Sequence, residues 1–193
     1  MTEKPTPLYL LRFWYKPGTT MQALIAADKG HGVAVLVAAF FGVFQMGPIF
    51  ARSGAEGFGP FALAGSVAGV TCLYFMALLA RNFSRWFGGS AELRKVRIAL
   101  GISLAPWTLV FAGLFVVLLG AADAESAAAV FPLFAVGFIY GWVIVLLSMS
   151  AALGITPLRT FGVLALTFVV AFFFISFVAQ IVLTMTGHTV GPQ

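Results

Sequence analysis

The side chains that usually carry out catalysis are few in this sequence and lie far apart along it. His31 and His188 stand near opposite ends of the 193-residue chain, and Cys72 is its single cysteine. A hydrolase or an intramembrane protease needs a nucleophile paired with a base, and no such pair stands out. Asp123 and Glu125 are too few carboxylates for a metal site. The sequence therefore predicts a protein that is not an enzyme, with no catalytic residues, metal ligands or cofactor.

Clustered cations form the pattern that most suggests binding chemistry. Positions 81–97 hold Arg and Lys side chains on both sides of a glycine pair. Such a cluster is suited to lipid phosphates or to an acidic protein surface. The alternative is that the cations only set the orientation in a membrane. The candidate lipid- or partner-binding residues of this segment are Arg81, Arg85, Trp86, Gly88, Gly89, Arg94, Lys95 and Arg97. Paired glycines permit a sharp turn, and we expect Ser90 to cap the helix that follows, with Glu92 in its first turn.

A second group of candidate binding residues, Trp14, Lys16 and Pro17, lies in the aromatic and basic segment 8–27. Tryptophan and tyrosine prefer the headgroup level of a membrane, and cations there meet anionic lipid. We expect a short helix capped by Thr19 or Thr20. The segment is predicted to be an interfacial or re-entrant element at the cytoplasmic leaflet. The alternative is that it only packs against the helix bundle.

Composition decides which elements must position these residues. Apolar residues make up 61% of the chain and charged residues 9%, whereas a soluble domain carries about 25% charged residues. A soluble globule and a disordered chain are both excluded. Runs of about 20 apolar residues are long enough to cross a bilayer as helices. The sequence thus predicts an all-α polytopic membrane protein with five spans, at about 31–50, 58–80, 98–120, 128–153 and 161–185.

The cations also predict the orientation of these spans. All but one of the 11 Lys and Arg residues, Arg52, lie in the N-terminal segment or in the second and fourth connecting loops. The positive-inside rule then places the N-terminus in the cytoplasm and the C-terminus outside. The expected organisation is a cytoplasmic or interfacial segment 1–30, one transmembrane domain 31–185 and an outward tail 186–193. The net charge of +5 belongs to these flanks, so nucleic acid is not a predicted partner.

Small and polar residues within the spans predict how the helices pack. None of the predicted spans contains Asp, Glu, Lys or Arg, which weighs against an ion-coupled transporter. Small residues four apart allow helix backbones to approach closely, within one chain or between copies. A proline inside the third span is expected to kink it, and two glutamines are expected to face protein because lipid exposure is costly. These packing residues are Gly65, Gly69, Gly137, Gly141, Pro106, Gln45 and Gln180.

The arrangement resembles the Yip family (Ypt/Rab-interacting membrane proteins) in its short bacterial form. The resemblance rests on the start at 13–17, Phe-Trp-Tyr-Lys-Pro, and on the stretch 83–90, Phe-Ser-Arg-Trp-Phe-Gly-Gly-Ser. The basic stretch 94–99 and the motif Leu-Ala-Pro at 104–106 follow. The resemblance implies five spans with the N-terminus inside and the C-terminus outside. Eukaryotic members bind small GTPases through a long N-terminal region, which this chain replaces with about 30 residues before the first predicted span.

The function predicted from these features is that of a non-enzymatic protein of the bacterial inner membrane. It organises lipids or protein partners through its basic loop, and anionic lipid headgroups at the cytoplasmic face are its expected partners. One alternative is a transporter or channel for a neutral or lipid-like substrate, which a water-accessible cavity lined by Gln45 and Gln180 would support. Another is an accessory subunit of a larger membrane complex with other membrane proteins, which an exposed glycine groove would support.

Overall fold

A computed structural model describes residues 8–53, 57–120 and 130–185, and within these ranges the chain is all-α with no strand. The predicted loop with Asp123 and Glu125, the first residues of the predicted fourth span and the tail 186–193 lie outside the described residues. The helices are α1 Leu8–Tyr15, α2 Pro17–Ala26, α3 His31–Ser53, α4 Gly59–Ser84, a 3₁₀ turn Arg85–Phe87, α5 Leu93–Ser103, α6 Ala105–Gly120, α7 Phe131–Leu153 and α8 Pro157–Met185.

Four helical stretches of the described chain are long and apolar enough to cross a membrane. They are Gly59–Phe87, Leu93–Gly120, Phe131–Leu153 and Pro157–Ile181. The apolar stretch of α3, His31–Gly47, is shorter. Length and composition therefore support a polytopic helical membrane protein, while the count of five spans stays a prediction.

Glycines bring α3 and α4 into backbone contact. A methyl group on Gly65 would lie 2.7 Å from the carbonyl oxygen of Gly42. One on Gly69 would collide with the carbonyl oxygen of Ala38. Ala38 itself is fully buried. Close approach of two helices at small residues is the usual packing mode within membranes, so the Gly65 and Gly69 face is used inside the chain.

The predicted third span is divided into α5 and α6 by Leu104. Pro106 is buried in the first turn of α6, and it lacks the N–H that a continuous helix requires. After the break, the N–H of Thr108 donates to the carbonyl oxygen of Leu104 at 2.8 Å, so helical hydrogen bonding resumes in α6. The helix begins at Leu93, before the predicted span at about 98, so its first turns carry the cations.

A tryptophan joins α6 to α7 near the middle of the bundle. The indole Nε1 of Trp107 donates to the carbonyl oxygen of Phe138 at 2.9 Å. Its ring occupies the space left by Gly141, where an added methyl group would collide with it. Phe41 of α3 stacks on the same ring, with 6.4 Å between centroids. This cluster joins the start of α6 to the middle of α3 and of α7.

One end of the bundle gathers most of the described cations. Here α4 ends, α5 begins, α7 ends and α8 begins. The 3₁₀ turn and α8 touch at this end, because a methyl group on Gly162 would lie 3.2 Å from the Phe87 ring. We call this the basic end, defined by Arg81, Arg85, Arg94, Lys95, Arg97 and Arg159.

Candidate anion-binding site at the basic end

The glycine pair ends α4 and its 3₁₀ turn in a Schellman motif. Gly88 has a φ of +83°, a left-handed conformation that favours glycine. Its N–H donates to the carbonyl oxygen of Arg85 at 3.2 Å, and the N–H of Gly89 donates to that of Ser84 at 2.8 Å. A methyl group on Gly89 would press on Ser84 at 3.0 Å. The turn fixes where the chain leaves α4 and enters α5.

The helix start after this turn differs from the expected one. Glu92, not Ser90, occupies the N-cap position of α5. The Glu92 side chain makes no capping hydrogen bond, because its Oε1 accepts from Nζ of Lys95 at 3.0 Å. Capping by Ser90 is therefore a wrong expectation, and the first turn of α5 is held by an ion pair.

An acidic residue that the sequence reasoning overlooked pairs with the loop. Oδ1 of Asp28 lies 3.1 Å from Nε of Arg94, and both side chains are largely exposed. Asp28 has a φ of +50° and ends α2 in a second Schellman motif, with its N–H on the carbonyl of Ile25. Aspartate is one of the residue types that tolerates this conformation. The position of Asp28 in the turn before α3 was the sequence feature from which this pairing could have been suspected.

Three of the five loop cations, Arg81, Arg85 and Arg97, have no carboxylate partner among the described residues. Arg81 and Arg97 are half-buried, and the Nε of each is buried without a hydrogen-bond partner. A buried donor that is left unpaired costs about 1–3 kcal/mol, more for a charged group. Two guanidinium groups whose Nε atoms lack acceptors are suited to an external anion.

Tyr74 holds one of these guanidinium groups in place. The Cζ of Arg97 lies 4.7 Å from the centroid of the Tyr74 ring, a cation–π contact. On the same ring the hydroxyl of Tyr74 lies 3.5 Å from Nε2 of His31. Nδ1 of His31 is also buried without a partner. The group lies between α3, α4 and α5 and adds a third unpaired nitrogen to this end.

The remaining loop residues surround this group at the surface. Arg85 is exposed. Trp86 is 74% exposed and its ring lies 5.2 Å from that of Phe83, as expected of a side chain reaching into the headgroup level. Arg159 of α8 reaches the turn, since its Nη1 would lie 4.0 Å from a methyl group on Gly88. Sequence reasoning used Arg159 only for topology.

The N-terminal candidates lie elsewhere. Trp14 stacks on Tyr140 at 6.2 Å between centroids, near the middle of α7. Pro17 is buried at the start of α2, and Lys16 is exposed. The helix begins at Pro17 because proline suits the first helical position, and Thr19 donates to the carbonyl oxygen of Lys16 instead of capping. The structure does not bring these three residues together with the basic end.

The candidate packing residues have two outcomes. Gly65 and Gly69 contact α3, while Gly137 contacts Val110 and Gly141 contacts Trp107. These glycine faces are therefore covered within the chain and leave no open groove. Gln45 and Gln180 differ from the expectation, because both side chains are exposed on the outside of the bundle. Their helices turn other residues inward, so the two glutamines do not face a shared cavity.

The basic end is suited to binding an anion. The Tyr74 ring contacts the Arg97 guanidinium group, the turn at Gly88 has a fixed left-handed conformation, and the Nε atoms of Arg81 and Arg97 have no partner.

Comparison of the chain with protein-family models, with curated proteins and with solved structures gives no match.

Proposed function

We propose that this protein is a non-enzymatic, Yip-like protein of the bacterial inner membrane that holds anionic lipid headgroups at its basic end. In this proposal the chain spans the membrane five times, and the positive-inside rule orients the basic end toward the cytoplasm. The anionic lipids of that leaflet then meet the cations directly.

The observation that carries the proposal is the pair of half-buried guanidinium groups, Arg81 and Arg97, with unpaired Nε atoms. A cation that only sets topology has no reason to bury its donors, since it is free to extend into water. A lipid phosphate offers the acceptors that these groups lack, and guanidinium binds phosphate with two parallel hydrogen bonds. The phosphate is expected near Tyr74, which holds Arg97.

The test is the affinity of the purified protein for phosphatidylglycerol in nanodiscs or by native mass spectrometry. Arg81→Gln and Arg97→Gln should each weaken binding about fivefold, because one cation near an anionic surface contributes about 1 kcal/mol. Lys29→Gln is the matched control, since it removes the same charge from an exposed side chain. Arg85→Gln, Arg94→Gln and Lys95→Gln complete the series. The proposal fails if affinity is unchanged in all five loop variants.

A further inference from the structure

Side chains from α3 and α5 meet on one tyrosine of α4. The hydroxyl of Tyr74 lies 3.5 Å from Nε2 of His31, the first residue of α3. The two rings are nearly perpendicular, with 6.5 Å between centroids. The Cζ of Arg97 on α5 lies 4.7 Å from the centroid of the same Tyr74 ring. An imidazole and a guanidinium group are therefore both held against Tyr74, which is itself exposed.

Helix α4 extends past the start of α3 at the basic end. The two helices run antiparallel, since their glycine contacts pair later residues of α4 with earlier ones of α3. The contact of His31 with Tyr74 places the start of α3 at that level. From Tyr74, α4 continues to Ser84, about 15 Å further at about 1.5 Å per residue. Residues seven apart share one face of a helix, so Arg81 lies on this extension, on the same face as Tyr74. The Tyr74 site, as we call it, comprises His31, Tyr74, Arg81 and Arg97.

The carboxylates paired at the basic end are already engaged by other cations. They form the ion pairs Asp28–Arg94 and Glu92–Lys95. Within the described residues neither Arg81 nor Arg97 has an ion-pair partner. The Tyr74 site therefore carries two positive charges that the described chain does not offset.

Three buried nitrogens of the Tyr74 site lack a hydrogen-bond partner, namely Nε of Arg81, Nε of Arg97 and Nδ1 of His31. When the Tyr74 hydroxyl donates to Nε2 of His31, the proton of the neutral imidazole is on Nδ1, so all three nitrogens are donors. A phosphodiester offers two free oxygens and one negative charge. A phosphomonoester offers three free oxygens and a charge of about −1.5 to −2 at pH 7. The donors and the charge of the site both match the monoester better.

We propose that the Tyr74 site selects a lipid phosphomonoester, the headgroup of phosphatidic acid, over the phosphodiester headgroups of other anionic lipids, a specificity that rests on the proposed function. The guanidinium groups of Arg81 and Arg97 bind the phosphate with charge-assisted hydrogen bonds. Nδ1 of His31 donates to the third oxygen, which only a monoester leaves free. His31 is thus the residue that determines the specificity.

The surroundings of the site favour a lipid over a soluble phosphate as the source of the monoester. Trp86 is exposed, as suits a ring at the headgroup level, and Arg81 lies about 8 Å from it along α4. Leu78 lies between Tyr74 and Arg81 in the chain and is also exposed. This apolar side chain suits an acyl chain and offers nothing to a soluble phosphate.

The test compares two lipids with identical acyl chains for binding to the full chain, in nanodiscs or by native mass spectrometry. Phosphatidylmethanol differs from phosphatidic acid by one methyl group on the phosphate, which removes the second charge and the third free oxygen. The wild-type protein should bind phosphatidic acid about tenfold more tightly, equivalent to about 1.4 kcal/mol. The readout is the ratio of the two affinities, which a general loss of binding does not change.

Two variants separate the roles within the site. His31→Leu should bring the ratio close to one, because it removes the donor for the third oxygen. Tyr74→Phe removes the hydroxyl that fixes the imidazole but keeps the ring under Arg97, and it should also lower the ratio. Gln22→Leu, at an exposed polar position of α2, is the matched control and should keep the wild-type ratio. Circular dichroism checks that each variant is folded.

The possible outcomes distinguish this specificity from the proposed function. Equal affinity of the wild-type protein for the two lipids would overturn the specificity and leave anionic-lipid binding standing. Failure to bind either lipid, or phosphatidylglycerol, would overturn both. The specificity is also overturned if His31→Leu and Tyr74→Phe both keep the wild-type ratio. Glycerol 3-phosphate in excess should not displace phosphatidic acid, and displacement would assign the site to a soluble monoester and overturn the lipid as its ligand.

Discussion

Buried hydroxyl groups in the bundle differ in whether they have a partner. The Oγ of Ser103 donates to the carbonyl oxygen of Leu100 at 2.8 Å. The Oγ of Ser148 has no partner. Both side chains are fully buried. A buried polar atom without a hydrogen bond is destabilising, whereas a satisfied one contributes about 1 kcal/mol. Residues of the same type therefore have opposite effects in this bundle.

Replacement by alanine tests this difference. Ser103→Ala should lower the free energy of unfolding by about 1 kcal/mol, while Ser148→Ala should leave it unchanged or raise it. Unfolding in mixed micelles, followed by circular dichroism, measures both. Equal destabilisation by the two variants would show that Ser148 has a partner, such as a water molecule.

Helices α3 and α4 make the closest contact between any two helices in the described residues. The contact that the sequence did not predict is the one that α1 and α2 make with α7. Glycine spacing predicted a close approach at Gly65 and Gly69, and the structure supplies Gly42 as the partner residue. The N-terminal helices pack against α7, with Phe13 and Met21 buried. The N-terminal segment therefore packs against the bundle, which was one of the two interpretations of its sequence. The contact between α3 and α4 depends on glycines, which have no side chain. The contact between α1 and α7 depends on stacked aromatic rings.

A methyl group on Gly69 should force α3 and α4 apart, since it meets backbone atoms that are unable to move independently. Gly69→Ala should cost about 1–3 kcal/mol, the usual penalty of overpacking. Gly32→Ala is the control, because nothing lies within 4 Å of its added methyl group. The temperature of unfolding in detergent measures both. Equal stability of the two variants would contradict the close contact.

The hydroxyl of Tyr140 should hold α1 against α7, because it donates to the carbonyl oxygen of Trp14. Tyr140→Phe should raise hydrogen–deuterium exchange of the backbone amides in α1 and α2, with little change in α3 to α6. Tyr74→Phe serves as the control, since Tyr74 contacts His31 instead. Unchanged exchange in α1 and α2 would show that the hydroxyl does not anchor the segment.

Within the described residues, the bundle has one strongly cationic end, which the positive-inside rule predicts to face the cytoplasm. Arg81, Arg85, Arg94, Lys95 and Arg97 join Arg159 there, with Asp28 and Glu92 as the carboxylates paired to them. Successive helices of the bundle run in opposite directions, so every second loop lies at the same end. The positively charged second and fourth predicted loops therefore meet there. The prediction of the orientation therefore does not depend on the exact span boundaries.

A reporter fused after Gln193 should be active outside the cytoplasm, and one fused before Met1 inside it. This result follows from five spans together with the positive-inside rule. Paired alkaline phosphatase and green fluorescent protein fusions measure the two sides. Both termini on the same side would require an even number of spans and would contradict the predicted topology.

The fold class and the main apolar helices were open to prediction because transfer free energies add along a local stretch of chain. The break between α5 and α6 at Leu104 was open to prediction for the same local reason, since Pro106 removes a hydrogen bond wherever it stands in a helix. The N-cap residue of α5 was not predictable, because Ser90 and Glu92 both stand where a helix could begin. The choice between them depended on the ion pair with Lys95.

The candidate site was predicted as a set of cations, but not as a geometry. Which cations are paired depends on Asp28, more than 60 residues before Arg94 in the chain. The burial of the Arg81 and Arg97 Nε atoms depends on how α4 and α5 pack. Gln45 and Gln180 face outward because helix rotation is set by the glycine and aromatic contacts of neighbouring residues.

Hydropathy and charge are properties of single segments, so the order of residues was enough to indicate a membrane protein, its apolar helices and its basic side. Contacts between distant segments depend on the shapes that meet when the helices pack. Tertiary packing therefore decided that Trp14 stacks on Tyr140 near the middle of α7 and that the Nε atoms of Arg81 and Arg97 are buried without a partner.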